Sequence, residues 1–119
     1  MNYILHNQER FSYIEILQAT FSLSGEDEAL ELAALCTENG TDRLLLQENN
    51  LDERFFDLKT GIAGAVLQKF SNYRIKFAAV VPADEIKGRF GEMAMEANKG
   101  KQFRFATSLS EASDWISGN

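Results

Sequence analysis

The stretch Asp57-Leu58-Lys59-Thr60-Gly61-Ile62-Ala63-Gly64 gathers an anion, a cation, a hydroxyl and two glycines mid-chain. Thr60 is a candidate phosphoacceptor. At a helix start, a phosphoryl group would meet free N–H groups and the positive end of the helix dipole, worth up to about 1 kcal/mol. Lys59 and Arg54 would add to that attraction. Glu48, Asp52, Glu53 and Asp57 crowd the same loop, so phosphorylation would act chiefly as a repulsive switch. The plainer role of Thr60 is a helix cap or first-turn residue. Gly61 and Gly64 either expose backbone to a partner or permit tight helix–sheet packing. They do not make a phosphate-binding P-loop, whose Gly-Lys-Ser/Thr spacing is absent. Asp57 is a candidate base, or a cation ligand with Asp52 or Glu53. No His accompanies it and the spacing fits no known loop site; its simpler role is an N-cap. Lys59 pairs with Asp57 or stands solvated, since a catalytic lysine needs burial.

No catalytic set can be assembled around these residues. His6 is the only histidine, so a Ser-His or Cys-His system would have to use it, and the sequence names no partner. Cys36 is the only cysteine. It falls in an apolar helical pattern and reads as a buried small hydrophobe. No metal-ligand set or cofactor motif is present, so the expectation is no metal and no cofactor, and a non-enzymatic role is favoured over an enzyme without deciding it. Tyr3, Tyr13, Phe55 and Phe56 read mostly as core or rim; because adjacent Phe55 and Phe56 cannot both face one way, the alternative reading leaves one ring exposed to a partner.

Charge narrows the partners. The 119 residues carry a net charge of −6, and no Lys/Arg run opposes it in the sequence. Nucleic acid and anionic membranes are therefore disfavoured. No apolar run reaches membrane-spanning length, and Met1-Asn2-Tyr3-Ile4-Leu5-His6 lacks a signal peptide's basic lead. The expectation is a cytoplasmic protein forming one domain over 1–119, with a core large enough to need no disulfide.

The elements that must position these residues follow from periodicity. Tyr3 to His6 and Ser12 to Leu17 read as strands of an antiparallel hairpin. Ser24, with Asp27 three residues on, reads as the cap of a first helix. Its inner face is Ala29, Leu32, Ala33 and Cys36, and it stops at Asn39-Gly40. Arg43-Leu44-Leu45-Leu46-Gln47 reads as a central strand buried on both faces. Asn50 and Glu53 would cap a short turn carrying Phe55 and Phe56. A second helix starts at Thr60 with Ile62, Ala63, Val66, Leu67 and Phe70 inward. Ile75 to Val81 is a strand ended by Pro82. A third helix is expected from Ala83 or Asp84, with Gly88 and Gly91 inside it at about 1 kcal/mol each against Ala. Gln102 to Ala106 is the last strand, and Ser108 with Glu111 caps a last helix carrying Ala112, Trp115 and Ile116.

The order β-β-α-β-α-β-α-β-α implies an α/β domain with a mixed, mostly parallel five-stranded sheet and helices packed on it. It resembles the STAS fold of bacterial anti-sigma-factor antagonists and sulfate-transporter cytoplasmic domains. Those proteins follow a strand with a loop of the type Asp-Ser-Ser-Gly-Leu-Gly and then the second helix. Thr60 would stand where that family's phosphorylated Ser stands, Gly61 matches the Gly and Ile62 the Leu. Leu58 and Lys59 separate Asp57 from Thr60, one residue more than in that loop, and the second Gly is displaced. The chain more closely resembles DUF4180, a family of small bacterial proteins of unknown function. That likeness rests on Asp42-Arg43-Leu44, Phe55 through Gly61, Leu67-Gln68-Lys69-Phe70, Asn72-Tyr73 and Asn98-Lys99-Gly100.

These readings lead to a non-enzymatic, regulatory protein-interaction domain. Its expected surface is Asp57, Lys59, Thr60, Gly61 and Gly64, its partner another protein, and a homodimer is compatible with an open edge strand. The alternative is a small-molecule or lipid-binding domain, or a weak enzyme. Its pocket would lie between the second and third helices, made adaptable by Gly88, Gly91, Met93 and Met95.

Overall fold

The computed structural model describes residues 1–118. Strands β1 (Tyr3–Asn7) and β2 (Ser12–Ile16) form the hairpin. They are followed by α1 (Glu26–Glu38), β3 (Arg43–Leu46), α2 (Ile62–Asn72), β4 (Lys76–Val80), α3 (Gly88–Asn98), β5 (Phe103–Ala106) and α4 (Leu109–Ser117). The sheet order is β1-β2-β3-β4-β5. β1 runs antiparallel to β2, and the pairs β2–β3, β3–β4 and β4–β5 are parallel. The mixed, mostly parallel α/β sheet is as the periodicity implies.

Each parallel step advances in one direction across the sheet. Crossovers of one hand therefore place α1, α2 and α3 on the same face. Alternation along the strands divides the side chains accordingly. Ile14, Ile16, Leu44, Leu46, Phe77, Ala79 and Phe105 join the main core with Ala29, Leu32, Cys36, Val66, Phe70 and Phe90. Tyr13, Leu45, Ala78, Val80 and Ala106 point the other way and pack with Ala112 and Ile116 of α4. That is why Leu44-Leu45-Leu46 is unbroken: both faces of the central strand are covered. Among the described residues, the nine-residue α4 is the only helix on its face, and it leaves part of the sheet uncovered there.

Four local expectations are corrected. Ser24 does not cap α1; Gly25 precedes the helix in extended backbone and no side chain caps it. Asn50 does not cap the turn before Phe55. Asp52 does, accepting from Arg54 N at 2.9 Å, over a 3-10 turn at Glu53–Phe56, while Asn50 is buried and donates to the Ile16 carbonyl at 3.1 Å. The third helix begins at Gly88, not at Ala83 or Asp84. A 3-10 turn at Ala83–Glu85 ends in extended backbone at Lys87, and Gly88 takes φ +55° as the chain re-enters a helix. Phe56 is not a free aromatic: it is half-buried with its ring 4.9 Å from Phe90, while Phe55 is fully buried.

Candidate functional site

The loop from β3 to α2 sits at the carboxyl end of a parallel strand, where open α/β sheets place their ligands and partners. Two consecutive 3-10 turns, Glu53–Phe56 and Leu58–Thr60, compact it. Each is capped by the aspartate before it: Asp52 as above, and Asp57 by accepting from Lys59 N at 3.1 Å. The N-cap role expected for Asp57 is thus the one it has. Arg54 also donates from its side chain to Asp52 at 2.9 Å. Those hydrogen bonds hold the Asp52 carboxyl below its ordinary range.

Thr60 ends the second turn, two residues before α2. Its hydroxyl lies 2.9 Å from the Arg54 carbonyl and 2.8 Å from the Asp57 carbonyl, to which it donates, and it accepts from Ile62 N at 3.3 Å. A single side chain ties both turns to the start of the helix. Gly61 follows at φ +76°, a left-handed residue that redirects the chain into α2 without a Cβ penalty. No side chain of Gly61 exists to cap α2; Thr60 Oγ1 takes the Ile62 N–H, and the next two N–H groups of the first turn have no partner within the helix.

Asp57, Lys59, Thr60, Gly61 and Gly64 are all solvent-exposed. A Cβ built at Gly61 or Gly64 meets nothing within 4 Å. Tight helix–sheet packing therefore does not account for Gly64; the glycine faces outward. Gly91 is the opposite case. Its Cβ would stand 3.1 Å from the Ile86 backbone carbon, so α3 needs glycine there to close on the turn before it. Met93 is half-buried and Met95 exposed. A cavity of about 280 Å³ lies nearby, but Asn49, Leu51, Glu53, Phe56, Pro82 and Glu85 line it. It sits between the β3–α2 loop and the segment preceding α3, not between the two helices.

The sequence does not show what the sheet does with its polar residues. His6 lies opposite Tyr13 in the hairpin register and stacks on it at 4.4 Å. Its Nε2 is 2.6 Å from Glu15 Oε1, and Gln47 Nε2 donates to the other oxygen of Glu15. The missing partner of His6 is therefore a buried carboxylate on the adjacent strand, held by a glutamine from the next one. The signal for it was the alternation Tyr13-Ile14-Glu15-Ile16, which puts Glu15 on the face that α4 only partly covers. No nucleophile joins this trio. Among the described residues, no three of the His, Cys, Asp and Glu side chains converge as a metal site. Cys36 is buried as expected, its thiol pushed up to about 12 by burial and secondarily by the charge of Asp42. Among the described residues, no helix is long and apolar enough to cross a membrane.

No curated protein and no solved structure matches the chain. The family model for a domain of unknown function, DUF4180, matches residues 8–116, and the chain belongs to that family.

Proposed function

We propose that the chain is a regulatory protein-interaction domain of STAS-like fold, and that it binds its partner through Asp57, Lys59, Thr60, Gly61 and the outward side of α2 at Gly64. The observation that carries this reading is Gly64. A glycine inside a helix costs about 1 kcal/mol against alanine, and here nothing in the chain occupies the space beside it. A bare backbone facing solvent, next to a helix start that Gly61 leaves without a side-chain cap and an exposed Lys59, suits the close approach of another chain. The β-β-α-β-α-β-α-β-α order and the position of Thr60 just before Gly61 support the STAS-like reading.

Regulation would act at Thr60. Its hydroxyl hydrogen is donated within the loop. A phosphoryl group on Oγ1 removes that donor and adds about −1.5 to −2 charge beside Asp57. The tie between the two turns is lost and the already acidic loop becomes more negative.

Gly64→Gln tests the binding surface, because glutamine is a good helix former and meets no neighbour. Quantitative capture from extracts of the native cell should recover a defined set of proteins with wild type. Gly64→Gln, Lys59→Glu and Thr60→Glu should each lose that set while keeping the wild-type circular dichroism. If all three folded variants capture the same proteins as wild type, the loop is not the interface.

A further inference from the structure

The amino ends of the parallel strands carry a second constellation, remote from the β3–α2 loop. Arg43 and Lys76 are direct partners across β3 and β4, and Arg104 pairs with Ala78 on the next strand. Like charges placed opposite one another in a sheet are destabilising. Alternation sends these side chains to the α4 face, where Trp115 receives them. Lys76 Nζ lies 4.6 Å from the centre of the indole ring, and the Arg104 guanidinium carbon 5.5 Å. Lys101 joins them around an open cavity of about 390 Å³, with Asp114 as the one carboxylate of its lining.

Arg43 has a structural occupation. It donates to the Ile116 and Gly118 carbonyls at 2.5 and 2.6 Å, closing the C-terminal end of α4, and lies 3.5 Å from the centre of the Phe11 ring. Of the other three, Lys76 and Arg104 pack on Trp115 but hold no helix end. Among the described residues, neither Lys76, Lys101 nor Arg104 has a carboxylate oxygen within 4.0 Å. The Arg104 Nε is buried without a hydrogen-bond partner among them. Burial, and then the charge of Arg43, hold the Lys76 ammonium below its ordinary range. An acidic chain has gathered three cations against its single tryptophan, with Asp42 acting on Lys76 only as a secondary attraction and no ion pair to any of the three among the described residues.

We infer that this cavity is a binding site for a small phosphate-bearing molecule. Lys76, Lys101 and the terminal guanidinium nitrogens of Arg104 would hold the phosphate, and Asp114 would accept from a hydroxyl or amine of the organic part. Arginine's planar fork and two lysines suit a multiply charged phosphate better than a single carboxylate. The ligand is small, not a nucleic acid or an anionic bilayer. The cations converge on one cavity instead of forming a stripe, and the net charge of −6 repels an extended polyanion.

Because the chain has one tryptophan, its emission reports on this cavity directly. Titration of the full chain at low salt with adenosine monophosphate and with inorganic pyrophosphate should give a saturable change in Trp115 fluorescence that weakens as salt rises. Lys101→Gln combined with Arg104→Gln should weaken binding at least about tenfold, as loss of charge-assisted hydrogen bonds requires. Lys101→Glu, a change at an exposed residue, should do so without risk to the fold. Lys87→Gln, at an exposed position outside both sites, should bind as wild type. Three results would overturn the assignment: no saturable change up to millimolar probe, unchanged affinity in the Lys101 and Arg104 variants, or tighter binding of citrate or of an oligonucleotide than of either phosphate probe.

Discussion

Gly64 is a helix residue with open space where a side chain would be. Gly64→Ala should therefore raise folding stability by about 1 kcal/mol, read from urea denaturation. A loss would mean that the helix needs glycine for packing. Cys36 gives a second single-residue prediction, with a sign fixed by its burial. In the unfolded chain the thiol ionises near 9, whereas the folded chain holds its proton to about 12. The folded state is therefore at full advantage below pH 9 and loses stability as pH rises from there toward 12. At pH 8 a thiol reagent should label Cys36 only as fast as the chain opens. Rapid stoichiometric labelling of native protein would contradict its burial.

At the scale of elements, α4 is the informative one. It alone covers its face of the sheet, and it is held at both ends. Ser108 Oγ accepts from Glu111 N at 3.1 Å at the start, and Arg43 takes the last carbonyls at the end. Ser108→Ala should cost about 1 kcal/mol. Arg43→Ala should cost more, about 1.5–3 kcal/mol, because charge-assisted bonds to a buried partner are lost. Near-ultraviolet circular dichroism of Trp115 should weaken in Arg43→Ala and change little in Ser108→Ala. A second device protects the β5 edge. The Asn98 side chain accepts from Phe105 N at 2.8 Å and donates to Phe105 O at 3.0 Å, standing in for an absent neighbouring strand. On the opposite edge, β1 carries exposed Tyr3 and Ile4 with no such cover.

Across the whole molecule, the phenylalanines bind the layers together. Phe77 on the sheet lies 4.9 Å from Phe70 of α2 and 6.3 Å from Phe105, whose ring meets Phe55 and Phe90 at 6.1 and 5.4 Å. Phe77 is fully buried. Phe77→Ala should cost about 3–5 kcal/mol, a large part of the roughly 5–15 kcal/mol that holds a domain folded. Thermal unfolding should then drop sharply in all probes together. An unchanged midpoint would show that Phe77 carries little of the domain's stability.

The sequence by itself determined the order of the elements, the inward face of each, the stop at Asn98-Lys99-Gly100, the cap at Ser108 and the family. These rest on periods of two and about 3.6 residues and on turn chemistry, which neighbours in the chain settle among themselves. Caps were less legible where two acceptors competed. Ser24 and Asn50 have the right residue type, but Asn50 found a buried carbonyl on β2 and Asp52 took the turn. Only the tertiary structure decided that α4 lies alone on its face, that His6 meets Glu15 and Gln47, and that Lys76, Lys101 and Arg104 surround Trp115. Those neighbours come from different strands, the segments next to them and α4, and their meeting depends on sheet order and register, which no local pattern encodes. The charge of −6 argued against a cationic patch because a net charge sums over the chain, whereas a patch depends on which strands are adjacent.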